Sequence, residues 1–142
     1  MAAWLISGLL AVLVATSGYI RLAPSDPARW HGSPLADGPW GRITEGEGWA
    51  SLRLETRAAG EVLARLDAIA LATPRTRRLA GSVEEGRITW VTRSALWGFP
   101  DYTTAEARAD GLYIQARQRF GRGDMGVNAE RLRGWQVALA GT

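Results

Sequence analysis

Phe99-Pro100-Asp101-Tyr102 and Phe120-Gly121-Arg122-Gly123-Asp124-Met125-Gly126-Val127-Asn128, with two strand-like runs between them, decide the fold of this chain. The first run is Tyr102–Ala109 and the second Leu112–Phe120, joined by Asp110-Gly111, a strong short hairpin signal. In the second run Leu112, Ile114, Ala116 and Phe120 fall on one side and Tyr113, Gln115, Arg117 and Arg119 on the other. That alternation predicts an antiparallel sheet buried on one face. The glycine turn then leads into a helix, about Met125 to Ala140, whose Asn128, Leu132, Trp135 and Leu139 form one stripe before Gly141 stops it.

Working backward, Arg75–Val83 and Arg87–Leu96 read as two more strands around Glu85-Gly86, and Trp49–Glu55 as a first edge strand. Between them Gly60–Thr73 has Val62, Leu63, Leu66, Ile69 and Ala70 on one face and is closed by Pro74. The sum is an α+β domain over residues 49–142, an antiparallel sheet of four to five strands with two helices on one face.

Residues 21–48 carry Pro24, Pro27, Pro34 and Pro39 among five glycines, which predicts a stiff linker. Its Trp30 and Trp40 are expected to pack on the domain, and His31 to be solvated. Before it, residues 1–20 contain no charged side chain, and nineteen helical residues from Ala2 to Ile20 span roughly 28 Å, enough for a bilayer core. Trp4 and Tyr19 stand near the two ends. The expected element is an uncleaved transmembrane anchor; its rival is a signal peptide cut near Ala15-Thr16-Ser17, although no basic residue precedes the apolar run. Ser7, Ala11 and Ala15 recur every fourth residue and mark a helix–helix contact face. Arg21 and Arg29 follow the span, so the charge rule alone keeps the domain in the cytoplasm.

Composition removes much chemistry. The 142 residues include no cysteine, and all seventeen basic residues are arginine, so thiolate, Schiff-base and P-loop lysine mechanisms are excluded. The net charge of +3 is spread along the chain, which argues against a nucleic-acid partner. Gly121 to Gly126 spells G-x-G-x-x-G, yet too little chain follows for a dinucleotide fold, and the reading is a glycine turn with Asp124 capping the helix. Arg122-Gly123-Asp124 matches the adhesion tripeptide by chance. Asp101, Glu106 and Asp124 could form a carboxylate pair, but Asp101 and Asp124 have turn roles available. Arg93, Arg117, Arg119 and Arg131 could line an anion pocket; the reading taken is a solvated face. No catalytic residue, cofactor or metal site is assigned.

The run Arg93-Ser94, Gly98-Phe99-Pro100-Asp101-Tyr102 and Arg119 to Asn128 with Arg131, together with Arg21-Leu22-Ala23-Pro24 and Arg29-Trp30-His31, resembles the bacterial domain-of-unknown-function family 1499. Gln118 stands where a small hydroxyl residue is expected. The resemblance implies a small α+β domain behind an N-terminal anchor, facing the periplasm, and turns the orientation against the charge count. It brings no reaction. The hub residues are thus Arg93, Phe99, Pro100, Asp101, Arg119, Gly121, Asp124, Gly126, Asn128 and Arg131. Three classes are carried forward: an interaction module on a membrane or envelope complex, then a lipid or apolar-ligand binder with Trp90, Trp97 and Trp135 lining a cavity, then an enzyme using carboxylates and arginines.

Overall fold

The computed structural model describes residues 2–141, so Met1 and Thr142, the outer ends of the expected anchor and domain, lie outside the described residues. Helix α1, Ala2–Leu22, carries the apolar N-terminal run, and its Trp4–Leu22 stretch is long and apolar enough to cross a membrane. Only 6% of that stretch is covered by the rest of the chain, so it is not a core helix. Ser7, Ala11 and Ala15 are all exposed along it.

Beyond α1 come the short helix α2 (Pro27–Trp30), strands β1 (Thr44–Gly46) and β2 (Trp49–Glu55), and helix α3 (Ala59–Ala72). Strands β3 (Thr76–Ser82), β4 (Arg87–Arg93), β5 (Pro100–Arg108) and β6 (Gly111–Gln118) follow, then helix α4 (Val127–Ala140). All six strands join one antiparallel sheet in the order β1-β2-β6-β5-β4-β3. The expected count of four to five falls short by β1. Its three residues, Thr-Glu-Gly, are too few to alternate, and they turn into β2 through Glu47-Gly48, with Gly48 at φ 77°. Trp49–Glu55 is therefore not an edge: it pairs with β1 on one side and with the whole of β6 on the other. Helix α3 carries the chain across the sheet from β2 to the far edge at β3.

One face of the sheet holds the core. Leu52, Ile88, Trp90, Ala105, Leu112, Ile114 and Ala116 meet Leu63, Leu66 and Ala70 of α3 and Leu132, Trp135 and Leu139 of α4. Trp90 and Trp135 pack edge to face at 5.7 Å, each with its indole N–H bonded, to Asp67 and to Thr73 Oγ1. Arg78 pairs with the other oxygen of Asp67, so both carboxylate oxygens have a donor.

The opposite face was expected to meet water, and it does not. Residues 23–40, which we call the strap, lie across it. Trp30 stacks on Tyr102 at 4.0 Å, and these two form a second buried cluster with Val91. The segment read as a linker thus forms a third layer over the sheet.

Candidate functional site

The strap is held by backbone acceptors and arginine donors. Arg93 donates to Ile20 O at 3.4 Å, Arg119 to Pro24 O at 2.7 Å and Arg117 to Trp30 O at 2.9 Å. Arg87 donates to His31 O at 3.3 Å, Arg108 to Pro34 O at 3.2 Å and Arg53 to Gly38 O at 2.7 Å. The side chains come from β2, β4, β5 and the end of β6, where period-two alternation sends them to the same face. Four of these carbonyls, of Pro24, His31, Pro34 and Gly38, lie in irregular chain, and those of Ile20 and Trp30 lie in the last turns of α1 and α2, so a long guanidinium fork supplies the donor that a ladder or a further helical turn would have given. In return, Arg21 in the last turn of α1 donates to Leu96 O at 2.7 Å. Of the arginines read as a solvated face, Arg93, Arg117 and Arg119 are clamps. Burial lowers the Arg117 pKa from the ordinary arginine value, and its Nε finds no partner.

His31, expected to be solvated, is half-buried and bonded. Its Nδ1 lies 2.8 Å from Thr89 Oγ1, which touches Thr104 Oγ1 at 2.9 Å, and Thr104 donates to Trp30 O at 3.2 Å. Partial burial, then the nearby Arg87 charge, hold the His31 pKa below its usual value. Gly81 makes room for the ring: at φ 84°, a Cβ there would stand 2.6 Å from His31 Cε1 and 2.0 Å from Arg87 O.

The hub residues divide between the two faces of one sheet end. On the helix face Arg131 of α4 bonds Asp101 Oδ2 at 3.2 Å and Asn128 Oδ1 at 2.6 Å. Burial raises the Asp101 pKa above its usual value, with Arg131 pulling the other way. Asp124 accepts from the Gly126 amide at 3.1 Å and from the Asn128 amide at 2.9 Å, so it satisfies first-turn donors as the sequence suggested. The formal N-cap position is Gly126, at φ 77°. Asn128 is fully buried: its Oδ1 accepts from Arg131, its Nδ2 has no partner, and neither atom bonds the glycine turn. On the strap face Arg93 grips the last turn of α1 and Arg119 the chain just after it, and Phe120 packs between Phe99 and Tyr19, 6.3 Å from each. Gly121 O accepts from Gln118 Nε2 at 2.9 Å, closing the turn.

The hub therefore sits at the end of the domain nearest α1, and two clefts open there. One of about 500 Å³ is walled by Arg21, Arg75, Arg77, Arg93 and Gly98; the other, about 490 Å³, has Asp101, Arg131 and Pro74 in its walls. Trp90 and Trp135, expected to line a ligand cavity, fill the core instead, and Trp97 stands apart on the β4–β5 loop. That loop was read as strand as far as Leu96. It leaves the sheet at Arg93 because Ser94 turns it, accepting from the Phe99 amide at 3.0 Å and bonding Phe99 O through its own amide at 3.0 Å.

No curated protein matches the chain in a search for relatives. A family model described as protein of unknown function (DUF1499) matches residues 21–139, beginning one residue after Ile20 and taking in strap, sheet and helices together. On that match the chain belongs to the domain-of-unknown-function family 1499.

Proposed function

We propose that this protein is a membrane-anchored, non-catalytic accessory domain that docks on a membrane or envelope protein complex from the periplasmic side. The observation that carries the reading is the clamped junction between span and domain. With Arg93 on Ile20 O and Arg119 on Pro24 O, no slack chain separates α1 from the sheet. A tether needs slack; a subunit that presents two surfaces at a fixed angle needs its absence. The exposed Ser7–Ala11–Ala15 stripe supplies a close-packing face for a neighbouring span. The groups best suited to chemistry are committed: Asp101 to Arg131, Asp124 to two amides, His31 to Thr89.

Purification from native membranes in mild detergent, with mass spectrometry of what co-purifies, tests the reading. A protein in stoichiometric amount with the wild type and depleted with Ala11→Leu supports it. An Ala11→Leu protein with unchanged company, or a wild type without any, overturns it. Orientation is tested separately by a reporter, active only after export, fused after Thr142; a dark reporter places the domain in the cytoplasm.

A further inference from the structure

We propose that the cleft walled by Arg21, Arg75, Arg77 and Arg93 binds the phosphate of an anionic phospholipid headgroup, with the β4–β5 loop dipping into the bilayer beside it. The inference rests on α1 being a membrane span, and goes beyond anchoring to a specific lipid site. The cleft of about 500 Å³ gathers these four arginines. Among the described residues the ion pairs are made by Arg78, Arg87, Arg108, Arg131 and Arg133, and none of the cleft's four arginines has a carboxylate within 4.0 Å. Four positive charges in one concavity repel one another and attract a counterion. Arg93 is half-buried with Nη1 spent on Gly98 O and Ile20 O, while Arg75 and Arg77 are exposed and reach the cleft from the start of β3. Guanidinium forks match phosphate oxygens two at a time, so this donor set favours a phosphate over a halide or a lone carboxylate.

Location selects the lipid as the source. Arg21 belongs to the last turn of α1, so the cleft opens at the level where the span leaves the hydrocarbon, which is where headgroup phosphates lie. The neighbouring loop goes deeper. Trp97 forms a groove with Leu13, Val14, Ser17, Gly18 and Arg21, which runs from the last turn of α1 to about two turns back along the span, its far end roughly 10 Å toward the bilayer centre. Leu96 beside it is 73% exposed and Trp97 44%. Exposed apolar side chains lying against a span at that depth are covered by acyl chains, and an indole suits the interface. One lipid satisfies both halves of the site: tails against Leu96 and Trp97, phosphate among the arginines.

The test uses the full chain in detergent micelles containing equal phosphatidylglycerol and phosphatidylcholine, with retained lipid read by native mass spectrometry. Wild type should retain phosphatidylglycerol in preference, and Arg75→Gln/Arg77→Gln should lower that retention roughly tenfold or more. Arg77→Gln alone, an exposed position, guards against misfolding of the double variant and should give a smaller loss; matched melting temperatures confirm intact folds. Equal retention of the two lipids, or retention unchanged in both variants, overturns the proposal. Displacement of the lipid by millimolar inorganic phosphate makes free phosphate the ligand and overturns the lipid assignment. Alkaline extraction of membranes reports separately on the anchor, so a span that fails to hold is told apart from a cleft that binds no lipid.

Discussion

Trp30→Ala separates the strap from the domain beneath it. The indole is 8% exposed, stacks on Tyr102 at 4.0 Å with 15° between planes, and has the Arg117 guanidinium 5.4 Å from its centroid. A buried tryptophan removes about 150–250 Å² from water, which at about 25 cal/mol per Å² is roughly 4–6 kcal/mol gross. Partial collapse of the site brings the expected cost to about 3–5 kcal/mol. The loss should fall on the strap first, because Trp30, Val91 and Tyr102 form a cluster apart from the helix–sheet core. Hydrogen exchange on the full chain in detergent reads this directly. The Leu35 amide, bonded to Gln115 Oε1 at 3.0 Å, reports on the strap, and the β4–β5 ladder reports on the sheet. Leu35 should exchange roughly 10²- to 10⁴-fold faster, limited by the strap's own opening free energy, with the ladder little changed. Equal acceleration of both refutes a separately opening strap, and an unmoved Leu35 refutes Trp30 as its fastener.

Asp124→Ala should lower stability by about 1 kcal/mol, the cost of a lost cap, read as a shift in melting temperature. Asn128→Leu strands one Arg131 donor but also removes the partnerless Nδ2, so its cost should sit near the lower end of about 1–3 kcal/mol; a larger loss means the amide has a partner we have missed. His31 has its pKa lowered in the fold, so the stability it contributes is full above its unfolded value of 6.5 and lost as pH falls through the folded value. The protection factor at Leu35, its exchange rate taken relative to the intrinsic rate at each pH, should therefore fall below about pH 6.5, and His31→Gln should flatten that dependence; an identical slope in the variant assigns it elsewhere. Asp101 behaves oppositely: its pKa is raised, so its contribution is full below 3.8 and fades as pH rises through the folded value. Asp101→Asn, which mimics the protonated acid, should flatten the acid-side melting profile, and a steeper profile would contradict the burial argument.

The helix–sheet half of this fold was legible because its signals are periodic. Leu112, Ile114 and Ala116 alternate as a half-buried strand should, and Leu63, Leu66 and Ala70 repeat as a helix face does. Turn chemistry placed the β5–β6 hairpin within one residue: Arg108 pairs with Gly111, so the turn is Ala109-Asp110. The other half left no period to find. A carbonyl in the strap looks like any other carbonyl, and the arginine that meets it lies up to 95 residues away. Alternating arginines on a strand fit a wet surface and a set of backbone clamps equally well. The usable hint was Trp30 among prolines, a large apolar surface in chain too stiff to fold over itself. The hub was legible as a place but not as an arrangement, since the spacing of Arg93, Asp101, Arg119 and Arg131 does not say which face each one serves.

The clamps also impose an order of events on a chain made from its N-terminus. Ile20 and Pro24 leave the ribosome long before Arg93 and Arg119 exist, and at about 5–20 residues per second the Pro24 carbonyl waits roughly 5–20 s for its donor. Through that interval the segment after α1 stays unlatched, with Trp30 uncovered. The last strand closes the structure in two directions at once, pairing β6 with β2 and delivering Arg117 and Arg119 to the strap. A chain cut short before Gly111 would keep its N-terminal helix and most of its strands, yet be left with open sheet edges and a loose tryptophan, the marks by which quality-control proteases select what to destroy.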